Sequence, residues 1–109
     1  MKRTLVYSTI MLTIFLAGCK KDVKIFVPDC TGVAKIFSGD AFPVFHSSCI
    51  DCHFSGSGQT PLDNYSNIVA AKSSVRNVII NGSMPRSGSL TDTQKNAITC
   101  WTDNGAPNN

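Results

Sequence analysis

The sequence predicts an all-α fold with few or no strands. Apolar residues recur at Ile68, Val69, Ala71, Val75, Val78 and Ile79, close to the 3.6-residue period of a helix with one buried face. Thr91-Asp92-Thr93-Gln94 has the form of a capping box, with Thr91 as the cap and Gln94 three residues on. No strand-like alternation of apolar and polar residues surrounds the middle of the chain.

Residues 1–18 are expected to be a leader rather than part of the fold. Met1-Lys2-Arg3 is positive, and Leu5 to Ala17 is uncharged and mostly apolar, with small residues at its end. That is the layout of a bacterial secretory signal. The run falls short of the ~20 apolar residues of a comfortable membrane span. A buried core helix is the alternative, and its place behind two cations speaks against it. Leu16-Ala17-Gly18-Cys19 resembles the lipobox of bacterial lipoproteins, in which Cys19 becomes the acylated first residue. Ordinary cleavage that leaves Cys19 free is the other reading. Two or more acyl chains anchor a protein stably.

Removing the leader leaves 91 of the 109 residues, one small domain. A chain of that size buries a modest core and often needs a cofactor or a disulfide. Of the 10 Lys and Arg residues, Lys2 and Arg3 leave with the leader, so eight cations face 7 acidic residues, all Asp. No basic stripe forms, and nucleic acid is not an expected partner.

Residues 19–37 read as a tether and lead-in, and 38–109 as the domain proper. Ile25-Phe26-Val27 and Val33 to Phe37 are short apolar runs that could pack as extended segments. The first helix is expected from about Ala41 to Ser48, with Asp40 as its cap and Pro43 in its first turn. Phe42, Val44 and Phe45 supply its apolar surface. Phe54 to Pro61, with Gly56 and Gly58, is a loop. Tyr65 to Ile80 is helical, with Ser73-Ser74 the expected break, and Asn81-Gly82 stops it. Ser83 to Ser89 is a second loop. The last helix carries Ala97, Ile98 and Trp101 on one face, ends at Gly105, and cannot restart past Pro107.

Cys49-Ile50-Asp51-Cys52-His53 is the segment that carries chemistry. C-x-x-C-H is the attachment signature of c-type haem. Two thiols at this spacing reach two vinyl groups of one porphyrin and form thioethers. The next residue, His53, then presents an imidazole nitrogen to the iron as proximal ligand. Three other readings compete. A thioredoxin-like dithiol wants a surrounding βαβ pattern, which is missing here. A structural zinc site wants four ligands, and Cys19, Cys30, Cys100 and His46 make no second spaced pair. A Cys49–Cys52 disulfide leaves His53 without a role.

A distal ligand follows by elimination. Met1 and Met11 leave with the leader, so Met84 is the one methionine of the mature chain. Pro85 biases Met84 toward extended backbone, which suits a thioether held out from a loop. A methionine packed in the core is the alternative. His46 is the other neutral nitrogen donor, but it lies in the helix before the motif and is expected at the surface.

With these motifs in place, the sequence resembles class I cytochromes c. It is closest to the short mono-haem domains found in lipoproteins of Bacteroidetes-like bacteria. The resemblance covers about Ile36 to Asn109. It rests on Phe37-Ser38-Gly39-Asp40, Pro43-Val44-Phe45, Cys49 to His53, Met84-Pro85, and Trp101 followed by Gly105-Ala106-Pro107-Asn108-Asn109. It implies three to five helices around one covalent haem, with the first and last helices crossing. Ala41 and Phe45 on the first would then meet Ile98 and Trp101 on the last.

The expected function is one-electron transfer by a lipid-tethered haem c protein with His53/Met84 axial ligation, and not enzymatic catalysis. The expected partners are redox proteins and, through lipid on Cys19, a membrane of the cell envelope outside the cytoplasm. The alternative is a haem-based sensor or ligand-binding domain in which Met84 does not bind iron. Cys30 and Cys100 remain once lipid takes Cys19 and haem takes Cys49 and Cys52, and the envelope favours disulfides. A bridge between them would close a loop worth roughly 2–4 kcal/mol and pin the lead-in to the domain. Two unrelated thiols are the alternative.

Overall fold

The first helix begins at Phe37, ahead of its expected start at Ala41. In the computed structural model, which describes Gly18 and residues 24–109, Phe37–Ala41 forms a π-helical turn that runs directly into α1, Phe42–Ser48. The wide turn is marked by the Ala41 N–H bonding to the Ile36 carbonyl, five residues back, at 3.2 Å. Asp40 therefore does not cap α1. It lies inside the longer helix, and its carboxylate accepts the Ile36 N–H at 2.9 Å, as the acidic member of a capping box does. Pro43 sits in the first turn of α1. The leader and Cys19 lie outside the described residues.

Three further helices follow: α2, Tyr65–Ala70; α3, Lys72–Ile80; and α4, Asp92–Asp103. Among the described residues there is no strand, as the sequence predicts. The break between α2 and α3 falls at Ala71, with φ −99° and ψ 3°, and not at Ser73-Ser74. Both serines lie in the first turn of α3, where a side-chain hydroxyl does not disturb the hydrogen-bond ladder. Asn64 caps α2 by accepting the Asn67 N–H at 3.0 Å. Thr91 and Gln94 form the reciprocal capping box of α4.

The core lies where the first and last helices meet. Ala41, Phe45, Ile98 and Trp101 are all fully buried. The Phe45 and Trp101 rings meet edge to face at 6.4 Å between centroids. Ala41 leaves room for that approach. Phe37, assigned to the lead-in from sequence, is a core residue. Its ring sits 5.1–5.4 Å from those of Phe42, Tyr65 and Trp101.

The last five residues close this core as a clasp. Gly105, at φ +91°, ends α4 in a Schellman motif: the Ala106 N–H bonds to the Trp101 carbonyl and the Gly105 N–H to that of Thr102. The tail then reaches three other elements. The Tyr65 hydroxyl donates to the Ala106 carbonyl at 2.9 Å, and the Trp101 indole N–H to the Pro107 carbonyl at 2.9 Å. Asn109 accepts the Phe37 N–H on its side chain and the Ser38 N–H on its backbone. Those two amides are unpaired donors at a helix start, satisfied here by a residue 72 positions away.

The lead-in is pinned along α3 and α4. The Phe26 N–H bonds to the Ile80 carbonyl, the Asp29 N–H to the Asn96 side chain, and Lys95 lies over the Phe26 ring at 4.9 Å. Cys30 and Cys100 form a disulfide with a Cα separation of 5.4 Å. Arg76 of α3 grips the Asp103 carboxylate of α4 through two nitrogens.

Candidate functional site

The Cys49–His53 segment is a single turn that continues from α1. The Cys49 N–H bonds to the Phe45 carbonyl, so the turn starts from a fully buried aromatic anchor. The Cys52 and His53 N–H groups both bond to the Cys49 carbonyl, at 3.2 and 2.9 Å. The three functional side chains are thus set by one closed backbone turn.

His53 has its ring orientation fixed. Its Nδ1 lies 2.8 Å from the Thr60 carbonyl, which can only accept, so Nδ1 carries the proton of the neutral ring. Nε2 then keeps its lone pair and is the free donor. A backbone carbonyl holding the second nitrogen is the usual support of a metal-binding histidine. The loop that supplies Thr60 is closed at its end by the Leu62 N–H bonding to the His53 carbonyl at 2.7 Å.

Met84 is placed by the end of α3. Gly82, at φ +75°, turns the chain, and the Asn81 side chain accepts the Ser83 N–H at 2.9 Å. The Met84 N–H returns to the Val78 carbonyl at 3.3 Å. Cys49, Cys52, His53 and Met84 all line one open cleft of about 530 Å³. Phe45, Leu62, Val75, Val78 and Ile79 give it apolar walls, and Arg86 is its charged lining residue. His46 is exposed on α1 and does not line it.

Burial pushes the Cys49 thiol up to about 11. The nucleophile of a dithiol oxidoreductase is a stabilised thiolate, and burial works against that at Cys49, the first cysteine of the pair. The Cys30–Cys100 bridge also removes both thiols from any second ligand pair around the motif. A smaller cleft of about 280 Å³ lies beside that bridge. Its ionised lining residues, Lys35 and Asp103, are already engaged by Asp40 and Arg76.

No known protein family, curated protein or solved structure matches the chain. The site therefore rests on its own geometry. Its donors are two thiols, one imidazole nitrogen and one thioether around a mainly apolar cleft. Its volume lies within the ~300–1,000 Å³ of cofactor and ligand clefts. The donor set fits a haem that Cys49 and Cys52 would join and His53 and Met84 would ligate. Sequence reasoning missed the partner of the His53 ring. Thr60 acts through its backbone carbonyl, and such a group leaves no signature in residue type.

Proposed function

We propose that this chain is a small class I cytochrome c domain that binds one haem c and carries single electrons. Lipid on Cys19 would hold it at a membrane of the cell envelope, among redox protein partners. The observation that carries the reading is the shared cleft: the C-x-x-C-H residues and Met84 line the same space, and His53 turns Nε2 free by donating Nδ1–H to Thr60.

Each residue has a distinct task. Cys49 and Cys52 would each form a thioether to a vinyl group, which fixes the ring and makes its loss impossible without breaking a covalent bond. The turn closed on the Cys49 carbonyl holds His53 beside that attachment. His53 Nε2 and the Met84 sulfur would hold the iron, and with both bound no site would be left for oxygen or peroxide. Against the apolar walls the bound ring would be shielded on one side, which would limit the rearrangement of solvent on electron transfer. When bound, the haem supplies one iron that alternates between ferrous and ferric states, at a potential raised by Met relative to a second His.

The test is a pyridine haemochrome spectrum of protein matured in an envelope with c-type haem assembly. The wild type should carry one haem that survives denaturation, and the Cys49→Ala/Cys52→Ala variant none. A wild type without covalent haem, or a double variant that keeps it, would overturn the reading.

A further inference from the structure

The loop from His53 to Thr60 carries the carbonyl that orients the His53 ring, and beside the Leu62 N–H bond to the His53 carbonyl a carboxylate just beyond the loop ties it down. Asp63 Oδ2 accepts the Ser55 N–H at 2.8 Å, two residues after His53. Asp63 Oδ1 accepts from the Asn67 side chain at 2.8 Å and from the Asn64 side chain at 3.1 Å. Asn64 in turn caps α2 through the Asn67 N–H. The carboxylate thus couples the start of the loop to the first turn of a helix. Thr60 lies between these two fixed ends. Gly56 and Gly58, at φ +93° and +82°, make the intervening backbone adaptable, so its shape depends on such ties.

We propose that Asp63 is a positioning residue for His53: by closing the 54–62 loop it keeps the Thr60 carbonyl on His53 Nδ1 and so sets the donor strength of Nε2. The proposal rests on the haem reading given above. A carbonyl accepting from Nδ1 pushes electron density toward Nε2 and favours ferric iron. Loosening that bond favours the ferrous state, and loss of the Asp63 negative charge acts in the same direction. Hydrogen bonding by Ser55, then Asn67, holds the Asp63 carboxyl down to about 2, so it remains an ionised acceptor across the working range of pH.

The experiment separates position from charge. It measures the midpoint potential and, in the diamagnetic ferrous protein, the exchange rate of the His53 Nδ1 proton by NMR. Asp63→Asn should raise the potential and speed exchange by about tenfold, the loss of roughly one hydrogen bond. Asp63→Glu should recover part of both. Asn67→Ala keeps the negative charge and removes one donor, so it should shift both readouts the same way by less. Unchanged ring-proton exchange in Asp63→Asn overturns the proposal even if the potential moves, because charge alone would then explain it. If Asp63→Asn does not fold, unchanged exchange in Asn67→Ala overturns it. Failure of the haem reading shows separately and earlier, as wild-type protein without covalent haem.

Discussion

On the proposed haem reading, Met84 would act on the site directly and Asp63 through the loop, and their variants should differ accordingly. Met84 lines the cleft itself, so Met84→Ala should abolish the weak far-red charge-transfer band of Met–Fe(III). It should also let added carbon monoxide or cyanide bind; an unchanged spectrum would mean that another group is the ligand. Asp63 acts on the loop, and its effect should follow pH. Its carboxyl, ordinarily near 3.8, is held at about 2 by Ser55 and Asn67. A folded-state value below the unfolded one gives a contribution that is complete above about pH 4 and lost as pH falls toward 2. The Ser55 amide signal in NMR should move through that window, and a midpoint near 4 would show that the tie is not formed. The sequence singles out Met84 as the one methionine beyond the expected leader, and the structure puts it in the cleft that Cys49, Cys52 and His53 line. Asp63 was not legible there, because its partners are a backbone amide and two side-chain amides whose meeting depends on how the loop closes.

The helices were legible wherever a local rule fixes them. The α4 capping box and the apolar stripe Ala97, Ile98 and Trp101 stand as the sequence predicts. The resemblance implied the contact of Ala41 and Phe45 with Ile98 and Trp101, and all four are fully buried. Where tertiary contacts decide, local reading failed. Asp40 is a good cap by residue type, but Asn109 supplies acceptors to Phe37 and Ser38, and this lets the helix begin one turn earlier. Serines 73 and 74 are weak helix formers, but a first turn tolerates them, and the chain bends at Ala71 instead. Two variants test this packing. Ala41→Leu would force a larger side chain into the helix crossing and should cost about 1–3 kcal/mol. Asn109→Ala removes the side-chain acceptor of the Phe37 N–H and should cost about 1 kcal/mol, as loss of a helix cap does. Chemical denaturation measures both, and a neutral Ala41→Leu would show that the crossing can accommodate a larger side chain.

Two covalent constraints act on this small domain: the proposed haem attachment in the cleft and the Cys30–Cys100 bridge between the lead-in and α4. The Cys30–Cys100 bridge spans 70 positions, and nearly the whole fold lies inside the loop it closes. Cross-linking so long a segment removes conformational freedom mainly from the unfolded chain. In the folded state the lead-in has few other ties, chiefly the Phe26 amide on Ile80, the Asp29 amide on Asn96 and the Lys95–Phe26 contact. Ile25, Val27 and Val33 are 63%, 80% and 89% exposed, so apolar burial adds little to hold it. Cys30→Ser/Cys100→Ser should therefore act in two separable ways. The unfolding free energy should fall by about 2–4 kcal/mol. Limited proteolysis should begin cutting between Val27 and Ala34 while the haem spectrum stays that of the wild type, because the cleft residues lie on α1, α3 and the two loops and not on the lead-in. An unaltered denaturation midpoint would show that the bridge does not constrain the unfolded chain. A changed spectrum would show that the lead-in also supports the cleft, through α4 or through the Phe26 amide bonded to the Ile80 carbonyl at the end of α3.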